Sequence, residues 1–186
     1  MSTFVVAGLD IGSTKTCAVL LEVTVEEGRS PAYRVLGVGQ SRAGGLRRDV
    51  VTDLEETTES VRAAMKEAEL MAGVRADRVF AGIAGNHIDA NVSTGVVAVG
   101  GGEIGAGDVD RVHEVARAVV VPSDREVLHV LPQEYRVDGQ ADIRDPVGMA
   151  GTRLEAEVYI ITCGAAAAAN LRKAVGRAGY KVEAFV

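Results

Sequence analysis

A chain of 186 residues, 47% apolar and 25% charged, can bury a substantial core and fits one large domain or two small ones packed together. Its net charge of −6 argues against nucleic acid as a partner, because such binders concentrate Lys and Arg on one face. No stretch approaches the roughly 18 consecutive apolar residues of a membrane span, and no basic segment precedes the first apolar run, so the chain is read as lacking a secretory signal and is expected in the cytoplasm.

Residues 3–10 and 16–24 are apolar runs separated by a short Gly/Ser/Thr/Lys turn, the pattern of two paired strands, and residues 33–41 add a third. A loop from Gly44 to Thr52 leads to Asp53, a helix cap, with Glu56 three residues on to complete a capping box. The helix runs to about Ala72, with Leu54, Val61, Met65 and Ala68 close to one face and Gly73 as its stop. A strand at 78–84 follows, so the opening β-β-β-α-β predicts a mixed sheet with a helix on one face. After Gly85 the pattern changes: a long bent strand at 87–99, a helix at 108–120 beginning at Asp108 and Asp110, and strands at 126–137 and 152–163 joined by a polar loop from Asp138 to Gly151. This β-α-β-β block could close a small sheet of its own. An alanine-rich helix from Ala165 to Ala178, stopped by Gly179, leads to a strand from Tyr180 to Val186. A chain ending inside a strand is expected to be a fragment, since a terminal strand exposes unpaired backbone groups.

Chemistry concentrates in Gly8-Leu9-Asp10-Ile11-Gly12-Ser13-Thr14-Lys15-Thr16. Gly12 lets the backbone turn sharply, successive N–H groups can face phosphate oxygens, and Ser13 and Thr14 add hydroxyl donors. Lys15 supplies a positive charge, and Asp10, at the end of the first strand, can hold Mg²⁺ through its water shell. The P-loop spacing is absent and a strand follows the turn, so on local chemistry a plain hairpin of ordinary turn residues stands beside the phosphate reading. Cys17 and Cys163 stand among apolar neighbours and read as buried thiols, while His87, His113 and His129 are too scattered for a zinc site. Gly100 to Gly105 satisfies G-x-G-x-x-G, but Glu103 would sit beside a pyrophosphate, so a flexible loop is the better reading. His129 lacks a nucleophile tied to it by motif. The acidic loop 138–151 lacks EF-hand spacing and reads as a solvated turn rather than a cation site.

The Asp10-to-Thr16 run between apolar strands resembles the first phosphate hairpin of the actin, sugar-kinase and heat-shock chaperone ATPase superfamily. Gly45-Leu46-Arg47-Arg48, Val51-Thr52-Asp53-Leu54-Glu55, Gly82-Ile83-Ala84-Gly85-Asn86-His87-Ile88, Pro132-Gln133-Glu134-Tyr135 and Asp145-Pro146-Val147-Gly148-Met149 narrow the resemblance to the FtsA family of bacterial cell-division proteins. Two positions depart from that family: Asp49 stands where glycine is usual, and Tyr159 where histidine is common.

The resemblance implies an actin-like (ribonuclease-H-like) α/β fold. Residues 1–84 would form the first part of subdomain 1A with the phosphate hairpin, 85–163 an inserted β-α-β-β subdomain 1C, and 164–186 a truncated return to 1A. It implies ATP and Mg as cofactors, touched by Asp10, Gly12, Ser13, Thr14, Lys15 and Thr16, with Asp10 reaching the metal through water. Self-association into filaments would run through 1C, with FtsZ and other division proteins as partners of the full-length protein. Membrane contact, at the cytoplasmic face of the inner membrane at the division site, would need a C-terminal amphipathic helix beyond Val186. So would completion of the nucleotide site, by a second phosphate hairpin and an adenosine loop, so the chain is expected to be at most a weak ATPase and no catalytic residue is assigned. The alternatives are a small-molecule kinase of the same superfamily, which would not be expected to carry the 87–163 block, and a nucleotide-free interaction module.

Overall fold

The computed structural model describes residues 1–186. Strands β1 (Ser2–Ile11), β2 (Lys15–Val25) and β3 (Ala32–Arg42) open the chain, followed by the two-residue strands β4 (Leu46–Arg47) and β5 (Val50–Val51), helix α1 (Leu54–Ala72) and β6 (Arg78–Ala81). Then come β7 (Asp89–Ala98), α2 (Ala106–Arg117), β8 (Arg125–Val137), β9 (Gln140–Ile143) and β10 (Arg153–Gly164), with α3 (Ala165–Ala178) and β11 (Lys181–Phe185) at the end. They form two compact units, Met1–His87 with Ala165–Val186, and Ile88–Gly164.

The first unit is a five-stranded sheet of order β11-β6-β1-β2-β3. The first three strands form an antiparallel meander, and β6 and β11 add in parallel beside β1. Alternation along the meander buries Ala7, Leu9, Ile11, Thr16, Ala18 and Leu20 on one face. Helix α1 covers that face with Val61, Ala64, Met65 and Ala68, all fully buried, and α3 lies beside it, contributing Ala168, Leu171, Ala174 and Val175. Phe4, Tyr33, Val35, Val38 and Phe80, on the opposite face, are exposed.

The seat of α1 is made of glycine. A Cβ built on Gly39 would lie 2.0 Å from the Ala64 carbonyl oxygen, and one on Gly37 2.2 Å from that of Ala68. The helix backbone therefore rests directly on β3, closer than any other residue permits. At its start the Asp53 carboxylate accepts the N–H groups of Glu55 (2.9 Å) and Glu56 (3.0 Å). The expected capping box is only half present: the Asp53 N–H donates to the Gly45 carbonyl at 3.0 Å, which leaves nothing for the Glu56 side chain to satisfy. Gly73, at φ 69°, ends the helix in the left-handed conformation.

The second unit is an antiparallel sheet of order β7-β10-β8-β9 with α2 packed on β7 and β10. Its core gathers Val99, Ile104, Val112, Val137, Ile143, Leu154 and Ala156. Gly95 repeats the device of Gly39, since its Cβ would lie 2.2 Å from the Val112 carbonyl oxygen. Pro132 is accommodated at a bulge, where Val158 pairs with Pro132 and Glu157 with Glu134, so that Gln133 is the extra residue. The helix begins at Ala106, two residues before the expected start, because the Asp108 carboxylate accepts the Gly105 N–H at 2.9 Å. That bond, with Arg111 beside it, holds the Asp108 carboxyl below its usual range despite partial burial. Within the loop read as wholly irregular, Asp138 and Gly139 form a tight turn with φ 49° and 88°, and β9 returns along β8. The Asp138 carboxylate is committed to the Thr152 hydroxyl (2.9 Å) and to the Thr152 and Arg153 N–H groups (3.1 and 2.9 Å). These bonds account for the chain reversal without a cation.

Two outcomes follow. Gly39→Ala should destabilise the first unit by roughly 3 kcal/mol or prevent folding, because the clash is with backbone; a chemical denaturation curve checks this. In the second unit His113 sits 2.6 Å from the Tyr135 hydroxyl, and desolvation, then the nearby Arg117, lowers its pKa from 6.5. The unfolded chain then binds the extra proton more readily, so stability contributed by neutral His113 is present above about pH 6.5 and is lost as pH falls below it. Thermal melts at pH 7.5 and 5.5 should show a smaller loss on acidification in His113→Gln than in the unaltered chain.

Candidate functional site

The β1–β2 turn is a four-residue closure in which the Gly12 N–H donates to the Lys15 carbonyl at 3.0 Å. That bond corrects one expectation: the Gly12 N–H is spent inside the hairpin and does not face outward. What favours glycine is the close approach, for a Cβ there would meet the Lys15 carbonyl oxygen at 3.1 Å, tighter than an ordinary contact. The following N–H groups, of Ser13 and Thr14, make no hydrogen bond within the chain, and both residues are exposed. The tip is steadied from β3, as the Ala43 N–H donates to the Thr14 carbonyl at 3.1 Å. Lys15 is exposed, forms no ion pair and lies opposite Arg42 in the β2–β3 register, so two positive charges flank this end of the hairpin.

Thr16 is the second correction. It pairs with Ile11, faces α1 rather than solvent, is fully buried, and places its hydroxyl 3.2 Å from that of Ser60. Strand alternation sends Thr16 and Lys15 to opposite sides, so Thr16 cannot reach a ligand at the turn. It belongs to a buried polar group that ties the hairpin to the helix, with the Ser41 hydroxyl donating to the Ser60 carbonyl at 2.7 Å and the Ser60 hydroxyl to that of Thr57 at 2.9 Å.

Asp10 lies at the end of β1, exposed, on the face opposite Ile11. It borders a cavity of about 260 Å³ lined also by Gly12, Leu46, Asp49, Gly82, Ile83, Ala84 and Val186. The far wall comes from the parallel neighbours: the Gly82 N–H donates to the Leu9 carbonyl at 2.8 Å, and the Ile83 N–H to that of Val186 at 3.1 Å. Gly82 lies beside Asp10, where even a Cβ would make only ordinary contact with the carboxylate, at 3.5 Å. Asp49 is the neighbour that a residue-by-residue reading passes over; its carboxylate accepts the Ser13 hydroxyl at 2.9 Å. Its only sequence signal is the acidic residue at a position where glycine is usual. The structure thus brings together Asp10, Gly12, Ser13, Thr14 and Lys15, adds Asp49 and Gly82, and removes Thr16. By contrast, the Gly100–Gly105 run leads into a helix already capped by its own Asp108.

A chain of the PilM-PilN type IV pilus biogenesis complex shares this fold, with a TM-score of 0.57 at 16% identity over 97% of the present chain and 46% of its own length. Fold and hairpin define a mixed α/β protein of the actin-like class. Residues 85–162 match the family described as the SHS2 domain inserted in FtsA. The sequence is 41% identical over 181 residues to the cell division protein FtsA of Pseudomonas aeruginosa, covering 97% of this chain and 42% of that protein. It is 38% identical over 188 residues to FtsA of Borreliella burgdorferi, covering 100% and 45%, and 37% identical over 181 residues to FtsA of Escherichia coli K12, covering 97% and 42%. The chain belongs to the FtsA family of cell division proteins, and it spans less than half the length of the relatives it matches. No helix is long and apolar enough to cross a membrane.

The buried link between hairpin and helix is open to test. Thr16→Val should lower stability by about 1 kcal/mol, through the hydrogen bond lost at Ser60. If Thr16 instead served a ligand, the substitution would leave the denaturation midpoint unchanged.

Proposed function

We propose that this chain carries one half of a magnesium–nucleotide site in an FtsA-type division adaptor. Such a protein binds ATP, assembles into actin-like filaments through the 88–164 unit, and recruits FtsZ and other division proteins. It ties the division ring to the cytoplasmic face of the inner membrane through the amphipathic C-terminal helix that the family resemblance implies for the longer protein. The observation that carries the nucleotide reading is the pair of unbonded N–H groups at Ser13 and Thr14, held at a hydrogen-bonded turn next to the free ammonium of Lys15.

That donor set suits a polyphosphate. Two successive amides and two hydroxyls give directional hydrogen bonds, and Lys15 gives charge without a competing carboxylate partner. Asp10 would hold Mg²⁺ through water, and the metal, when bound, would supply charge neutralisation for the phosphates. The cavity of about 260 Å³ falls below the roughly 300–1,000 Å³ of a complete small-molecule site. A single hairpin offers no second clamp and no group that positions a water for attack, so hydrolysis is secondary.

Isothermal titration with ATP and Mg²⁺ is expected to give weak binding, with a Kd of about 0.1 mM or higher, reduced roughly tenfold further in Lys15→Ala. Tight stoichiometric binding would contradict the need for a second half. Binding that ignores Lys15 would contradict the site.

A further inference from the structure

Strands β4 and β5 are joined by two residues, Arg48 and Asp49, both in the left-handed conformation at φ 48° and 62°. This is the tight hairpin turn that usually employs Asn or Gly, and Arg at the first position is costly. The strained turn is firmly held. The Thr52 and Asp53 N–H groups both donate to the Gly45 carbonyl, at 2.7 and 3.0 Å, and Leu46 is buried beneath it. Its effect is to aim the Asp49 carboxylate at the phosphate hairpin, where it accepts the Ser13 hydroxyl at 2.9 Å.

We propose that Asp49 is a specificity-determining residue of this site: an intramolecular competitor for the Ser13 hydroxyl that favours metal-bound over metal-free polyphosphate. The proposal rests on the nucleotide reading above. A hydroxyl has one hydrogen, and while Asp49 accepts it no phosphate oxygen can. Asp49 also lines the same cavity as Asp10, so an incoming phosphate meets two carboxylates. A metal-free polyphosphate carries its full negative charge into that pair and is repelled; a magnesium complex carries less. Displacing Asp49 is therefore harder for the free anion than for the complex.

The test uses the whole chain in four forms: unaltered, Asp49→Gly, Ser13→Ala and the double variant. Each is titrated with ATP to millimolar concentration, once with EDTA and once with Mg²⁺, following the Ser13-to-Lys15 amide resonances. Gly suits the left-handed backbone and offers no acceptor to the Ser13 hydroxyl, whereas an Asn amide oxygen would still accept it, and thermal melts confirm that each variant folds. Asp49→Gly should strengthen binding in EDTA about tenfold, strengthen it less with Mg²⁺, and give a smaller gain in the Ser13→Ala background. No gain in EDTA, in a chain that does bind Mg-ATP, overturns the role of Asp49 and leaves the nucleotide site standing. An equal gain in the Ser13→Ala background also overturns it, because charge alone would then be acting. Absence of ATP binding in every form and condition removes both the site and the competitor.

Discussion

The close approach of α1 to β3 is the constraint on which the first unit depends. With no side chain at Gly37 or Gly39, the helix backbone lies directly on the sheet. Ser60 then comes within hydrogen-bond reach of Thr16 and Ser41, which fixes the base of the β1–β2 hairpin. The same seat places Asp53, at the helix start, where its N–H meets the Gly45 carbonyl and the β4–β5 turn is anchored. A helix held a few ångströms further out would lose both links. The turn at Gly12 and the turn at Asp49 are positioned by one packing event, which is why a buried Thr-Ser pair matters to a surface site.

The Ile88–Gly164 unit uses the same principle on an unrelated framework, with Gly95 admitting α2 to the sheet. There the polar groups serve architecture: Asp108 caps its own helix, and Asp138 closes a chain reversal against Thr152 and Arg153. Asp138 lies in a run that suggests a ligand when read as a motif, and Asp108 follows one, Gly100–Gly105. In each case the carboxylate already has its donors within the chain, and a buried core of Val, Ile and Leu accounts for the rest of the unit.

Much of the architecture was legible because its strands and helices follow simple periods. The β1–β2 pair, the α1 stripe of Val61, Met65 and Ala68, and α3 with its glycine stop all lie where alternation and helical spacing put them. Short elements escaped for a physical reason: β9 has four residues and only Ile143 is buried, so no alternation announces it. Residue type alone groups Thr16 with the hydroxyls of the turn, whereas strand parity pairs it with buried Ile11. The capping box failed because the Asp53 N–H has a partner, Gly45, that no local spacing reveals. Nor does local sequence reveal the far wall of the cavity. Gly82 and Val186 reach Asp10 through parallel pairing of strands separated by long stretches of chain.

The central claim is that the turn from Gly12 to Lys15 receives phosphate in a Mg-nucleotide, with Asp10, Asp49 and Gly82 around it. The most direct measurement is a residue-resolved amide shift map of the chain on addition of Mg-ATP. The account predicts that the largest changes fall at Ser13, Thr14 and Lys15, with smaller ones at Gly82 and Ala84, and that Gly95 and the Gly100–Gly105 run stay still. Changes centred on residues 100–105, or none at the β1–β2 turn at millimolar nucleotide, would contradict it.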